Sequence, residues 1–367
     1  MYKNLAAALA VACFSLPVFS QPAAAAPAAA PQPLRIGFVY VTPVLGTGWT
    51  QQHEQGRRAV QAALGAQVQT TAVADVPEGA DAERVIRDLA QTGHKLIFTT
   101  SFGYMEPTLK VARDYAGVQF ESITGYRQAD NVATANARYY EGRYLAGIAA
   151  ARMSSSGVAG YVAGFPIPEV LQGINAFTLG MRSVNPRAVV RLVWLDSWFD
   201  APREREAAMA LMDQGADVLA FHTATPAAMV AAQERGKLAV AYHSDMRSVA
   251  PDAQIVAITH QWGAYYTQRA RAVLDGQWRS SNVWGGVREG MVRVEGFGSK
   301  VPPAVQQEVL ARQKDIGAGR LQPFRAQQTA VRDNTGRQVM APGQALSDAQ
   351  ILQMDWLVEG VQGRVAR

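Results

Sequence analysis

From Leu34 onward, short apolar runs alternate with longer segments whose apolar positions recur every three to four residues. That is the pattern of parallel strands joined by crossover helices. It predicts strands over 35–40, 67–72, 96–100, 119–123, 158–163, 189–195, 218–221, 238–241 and 254–258. Helices are predicted over 53–64, 82–92, 104–115, 169–183, 203–214 and 225–235. Gly65, Gly93, Gly215 and Gly236 follow four of these helices, where a left-handed residue commonly closes the last turn.

The fold class is therefore α/β. A chain of 367 residues exceeds what one hydrophobic core usually organises. Two blocks of the pattern flank a helix-like stretch over 135–153 that is rich in Tyr and Arg. We expect two Rossmann-like lobes, each a parallel sheet flanked by helices, joined at a hinge with a crossover near 131–138. Lobe 1 is expected over 34–134 with a return segment at about 260–292, and lobe 2 over 135–259 together with 293–367. Within 293–367 the sequence predicts a helix over 303–317, a hairpin turning at Asp333-Asn334-Thr335-Gly336 and a short helix from Ser347, all packing on the lobes.

Ahead of this pattern, Lys3 precedes an apolar stretch over 5–19 that is too short to span a bilayer. It reads as a signal peptide over 1–20, followed by a Pro- and Ala-rich leader over 21–33, and predicts a secreted, periplasmic protein. Cys13 is the sole cysteine, and lipid attachment there is the alternative to cleavage after Ser20. Cleavage would leave no thiol and 34 basic against 30 acidic residues, since only Lys3 is lost from the 35. An apolar fraction of 49% with 18% charged residues is globular, and the scattered Lys and Arg form no stripe for nucleic acid.

In an open α/β sheet, ligands bind outside the carboxyl ends of the strands. This rule selects Trp49 beside Gly46-Thr47-Gly48, then Ser101, Phe102, Gly103 and Tyr104, then Phe165, Trp198, His222, His243, Asp245 and Trp262. Most of these loops pair a ring with a small or hydrogen-bonding neighbour. Rings can sandwich a planar heterocycle while polar groups read its edge. Each residue has a plainer use as well: the Trp and Phe rings as core, the imidazoles bonded to carbonyls, and Asp245 as a cap.

Catalytic motifs are sparse. There is no His-Glu-x-x-His, P-loop or Gly-x-Ser-x-Gly, and Gly46-Thr47-Gly48 lacks the third glycine of a dinucleotide fingerprint because Gln51 stands there. The five histidines have no ligand-like spacing, so neither metal nor cofactor is expected.

Longer stretches carry a resemblance. They include residues 36–41, Gly48-Trp49-Thr50, Phe102-Gly103-Tyr104-Met105-Glu106-Pro107-Thr108, residues 140–147, Phe165-Pro166-Ile167-Pro168-Glu169-Val170, Gly173-Ile174-Asn175-Ala176-Phe177, Ser197-Trp198-Phe199-Asp200, Asp213-Gln214-Gly215-Ala216-Asp217 and Ser244-Asp245-Met246. Over about 35–363 the chain resembles the basic membrane protein family of ABC-transporter solute-binding proteins. The resemblance implies a type I periplasmic binding protein fold. It also implies a purine base or nucleoside held between the lobes, and delivery by a monomer to the permease subunits of an importer.

Two departures bear on the ligand. Where nucleoside-binding relatives carry an acidic first loop, this chain has Gly46-Thr47-Gly48, and where they begin Asp-Ser-Asp-Gln it has His243-Ser244-Asp245-Met246. Both remove carboxylates suited to ribose, which favours a free base such as adenine. The alternatives are a nucleoside- or sugar-binding protein of the same fold, and a periplasmic nucleoside-processing enzyme using His243 or Asp245 as acid or base.

Overall fold

A computed structural model describes Met1 and residues 32–365. The expected signal peptide over 1–20, the expected leader up to residue 31 and Cys13 lie outside the described residues.

Elements alternate in chain order. The first block runs β1 (Leu34–Val39), α1 (Gly48–Leu64), β2 (Val68–Val73), α2 (Ala80–Gln91), β3 (Leu96–Thr99), α3 (Met105–Asp114), β4 (Gln119–Ile123) and β5 (Val132–Ala137). The second runs α4 (Tyr139–Met153), β6 (Val158–Ala163), α5 (Pro168–Val184), β7 (Val189–Trp194), α6 (Ala201–Asp213), β8 (Val218–His222), α7 (Ala227–Glu234), β9 (Leu238–His243) and β10 (Gln254–His260). Then come α8 (Gly263–Leu274), β11 (Asn282–Gly285), β12 (Val292–Glu295) and α9 (Pro303–Gly317). The chain closes with β13 (Val331–Arg332), β14 (Gln338–Met340), α10 (Asp348–Leu352) and β15 (Val361–Gln362).

These strands form two large sheets. One is six-stranded in the order β11-β5-β4-β3-β1-β2, and the other seven-stranded in the order β12-β10-β9-β8-β6-β7-β15. Both place their first strand between the second and third, so each has a switch point where loops diverge. All pairings within the first sheet are parallel, and β12 runs antiparallel to β10 at the edge of the second. The fold is thus two α/β lobes. The chain passes between the sheets three times, after β5, after β10 and between β11 and β12.

Burial explains the sequence pattern. Central strands β3, β8 and β10 are buried along their whole length and are mostly apolar, whereas edge strand β2 buries only Val68. Helix α2 buries Ala82, Val85, Ile86 and Leu89, one stripe at helical spacing. Helix α4 is different because ten of its fifteen residues are buried. It crosses α5 so closely that a Cβ on Gly147 would stand 2.1 Å from the Phe177 carbonyl oxygen, and one on Gly180 2.1 Å from that of Tyr144. Only glycine at both positions lets the two backbones touch.

Two elements depart from the sequence reading. The crossover expected near 131–138 holds a strand, β5, because Val132–Ala137 carries small residues that fit between β4 and β11 without the β-branched run that announces a strand. Helix α8 returns the chain to lobe 1 where only a return segment was anticipated. Among the described residues no helix is long and apolar enough to cross a membrane.

Candidate functional site

The strand ends of the two sheets face one another across a cavity of about 450 Å³, part of it open to solvent. Lobe 1 supplies Val41 after β1, Trp49 in the first turn of α1, Ser101 and Phe102 after β3, and Thr124 after β4. Lobe 2 supplies Ile167 and Glu169 after β6, Trp198 after β7, Thr223 and Ala224 after β8, and His222 and His243 at the ends of β8 and β9.

Trp49 is held by both lobes and Trp198 by its own. The Trp49 indole N–H donates to the Thr100 carbonyl at 2.8 Å, and its ring meets His53 edge-on at 4.3 Å and His243 at 5.2 Å between centroids. Trp198 packs edge-on against Phe165 at 4.9 Å and lies over Gly164, where a Cβ would come within 2.6 Å of the indole. Glycine at 164 is therefore what makes room for the ring.

Two hydrogen bonds tie the lobes at the cavity. The Gly48 backbone N–H donates to the Ser244 hydroxyl at 2.8 Å, and the Asn136 amide donates to Glu169 Oε2 at 2.8 Å. Gly48 has φ +83°, and a Cβ there would stand 2.6 Å from the Ala224 carbonyl oxygen, so the first loop needs glycine both for its turn and for the approach of lobe 2. Thr124 and His243 also sit at positive φ, 65° and 69°, which costs non-glycine residues roughly 1–3 kcal/mol each and concentrates strain at the cavity wall.

Electrostatically the wall is nearly neutral. Glu169 is its sole carboxylate among the lining residues, and no Lys or Arg lines it. Burial lowers the imidazole pKa of both His222 and His243; for His222 the nearby Glu169, 3.6 Å away, works in the opposite direction. Behind the wall, Glu204 is buried and accepts the hydroxyls of Thr223 at 2.8 Å and Thr225 at 2.6 Å, fixing the loop that carries Thr223 and Ala224. Among the described residues no group of three or more His, Cys, Asp or Glu is arranged to hold a metal ion.

Six residues selected from the sequence, Trp49, Ser101, Phe102, Trp198, His222 and His243, line this cavity. The others stand elsewhere. Phe165 supports Trp198 from behind, and the Gly103 N–H and the Ser101 hydroxyl both donate to Glu78. Tyr104 is fully buried, its hydroxyl donating to the Val76 carbonyl. Asp245 turns to Arg247 and to the Gln254 amide; burial alone would raise its pKa, but these donors hold the carboxyl below its usual range. Trp262 is buried and donates to His260 Nδ1 at 2.6 Å. Glu169 is not among the residues the sequence selects: it is the second residue of α5, six residues beyond the end of β6, although it lies on the same strand-to-helix connection as Phe165.

With this geometry in view, comparison with known proteins gives consistent results. Residues 34–323 match the family described as ABC transporter substrate-binding protein, PnrA-like. A purine-binding protein of Brucella abortus is 46% identical over 336 residues, covering 92% of this chain and 95% of its own. A candidate ABC transporter glucose-binding protein of Haloferax volcanii is 36% identical, covering 78% of this chain and 72% of its own. Among solved structures, an ABC transporter solute-binding protein of Conexibacter woesei superposes with a TM-score of 0.66 at 19% identity, covering 79% of this chain and 98% of that one, a likeness of fold.

Proposed function

The chain belongs to the family of PnrA-like ABC transporter substrate-binding proteins, and from that membership we propose that it captures a free purine base, adenine-like, between Trp49 and Trp198. It then presents the base to the permease subunits of an importer from the periplasmic side, without making or breaking bonds. The observation that carries this reading is a cavity between the lobes with an indole on each wall and no cationic side chain.

Two rings can bury both faces of a flat heterocycle, and stacking supplies roughly 1–3 kcal/mol per aromatic contact. Ribose would ask for carboxylates at the first loop and at position 243, where this chain has glycine and histidine. The 46% identity to a protein named for purine binding points the same way. The site residues we assign are Trp49, Ser101, Phe102, Trp198, His222 and His243 from the sequence, with Glu169 added.

Calorimetric titration with adenine, guanine, xanthine, their nucleosides and glucose tests the proposal. Adenine is expected to bind more tightly than adenosine and glucose. Adenosine or glucose binding at least as tightly as adenine would overturn it, the latter in favour of the sugar reading that the Haloferax relative's name suggests.

A further inference from the structure

Behind the cavity, three buried side chains form a hydrogen-bonded line. The Trp262 indole nitrogen lies 2.6 Å from His260 Nδ1, and His260 Nε2 lies 2.9 Å from His243 Nδ1. An indole N–H can only donate, so His260 Nδ1 must accept. Burial lowers the His260 pKa to about 3, which leaves the ring neutral with a single proton, and that proton is therefore on Nε2. It points at His243 Nδ1, which must then accept as well.

His243 is also neutral, held so by burial and by the neighbouring His260 and His222. Its single proton is consequently on Nε2. That atom has no protein partner among the described residues and is not sealed from solvent, and His243 lines the cavity. On the same wall Glu169 presents a carboxylate, an acceptor.

We propose that Trp262 and His260 are positioning residues that lock His243 as a hydrogen-bond donor. Paired with Glu169 as acceptor, it selects ligands whose edge offers a ring acceptor together with an N–H donor. An aminopurine has such an edge. Full methylation of the amine, or carbon in place of the ring nitrogen beside it, destroys the edge that contains the amine and leaves only the side whose donor is a ring N–H. This rests on the purine reading for its ligand but not for its tautomer.

Nitrogen NMR of protein labelled at histidine tests the lock without ligand, with the His243 signals assigned by their loss in His243→Asn. The expected result is a protonated Nε2 and a bare Nδ1. A proton on His243 Nδ1 would overturn the proposal whatever the protein binds. In Trp262→Phe the indole donor is gone, so His243 should show both tautomers, and adenine affinity should fall in proportion to the lost share of the donor form, roughly twofold at equal populations.

If that variant does not fold, titration of the wild-type protein decides. N6,N6-dimethyladenine and one of the 1- and 7-deaza analogues should each bind roughly tenfold more weakly than adenine, each lacking one of the two hydrogen bonds. Equal affinity across the series would overturn the selection. A wild-type protein that binds no purine at all would sink the purine reading, and the NMR result would still stand or fall separately.

Discussion

The backbone N–H of Gly48 in lobe 1 donates to the hydroxyl of Ser244 in lobe 2 at 2.8 Å, and the Ala224 carbonyl lies where a side chain on Gly48 would begin. The closed arrangement therefore has a steric condition at residue 48. Gly48→Ala should hold the lobes apart and weaken ligand binding at least about tenfold, since a binding-competent state that is rarely populated lowers apparent affinity in proportion. Ser244→Ala removes only the hydrogen bond and should cost a few-fold, in line with a net value of about 1 kcal/mol. Small-angle scattering with saturating adenine checks this: Gly48→Ala should fail to compact, and a variant that compacts as wild type does would refute the steric condition.

Trp49→Ala and Trp198→Ala should each weaken adenine binding by roughly tenfold to a hundredfold, the worth of one stacked ring. Trp49→Phe keeps a ring but loses the bond to Thr100, and should fall between. Titration calorimetry, with circular dichroism to check the fold, reads the effect. Unchanged affinity in both alanine variants would put the ligand elsewhere.

Glu121 on β4 is fully buried and accepts from the Tyr265 hydroxyl at 2.6 Å, the Trp278 indole at 2.7 Å and the Arg269 guanidinium. Burial raises its pKa, while Arg269 and the other donors pull the other way. This cluster fastens α8 and the segment after it to lobe 1. Glu121→Ala leaves a mostly buried guanidinium without its counter-charge and should cost about 3–5 kcal/mol in urea unfolding. A loss below 1 kcal/mol would mean that water replaces the carboxylate freely.

Glu54 governs an acid transition. Burial would raise its pKa, but hydrogen bonds from Arg57 and Arg58, with a further one from Tyr40, outweigh that and hold it at about 2 against an ordinary 4.5. A depressed carboxylate stabilises the fold above its unfolded pKa, and that stability is lost as pH falls through 4.5 toward 2. Glu54→Gln should therefore be less stable than wild type near neutral pH, on the order of 2 kcal/mol, with the gap closing on acidification. Melting curves from pH 7 to pH 3 check the sign; a constant gap would assign the loss to packing instead.

How far the sequence could be read depended on what each residue's role leaves in local pattern. Strands β4 and β6 lie over the residues predicted, and β3, β8 and β9 within two; β3, β6, β8 and β9 are buried, mostly apolar runs, while β4, QFESI, is marked by its place between turns and its Phe and Ile. The capping box at Ser347 and Gln350 marks the last short helix as expected. Strand β5 escaped because a run of Ala, Thr and Asn between two neighbours has no pattern of its own.

The site divides in the same way. Trp49, Trp198, His222 and His243 stand at strand ends and were visible by position. Trp262 also follows a strand end, yet its indole turns back to His260 at the end of β10, only two residues before it, and a ring's direction about its own backbone leaves no mark in the pattern of apolar and polar positions. Glu169 was hidden by a helix start, and its meaning depends on Asn136 of the opposite lobe.

The cavity wall is divided between two bodies that touch through Gly48–Ser244 and Asn136–Glu169. A guest stacked between the two indoles is gripped on both faces only while those contacts hold. If lobe opening limits release, residence time should follow how often the lobes swing apart more than how strongly the guest's faces are gripped. Two guests of unequal affinity could leave at similar rates, and a docking partner that pries at either contact would speed the departure of both.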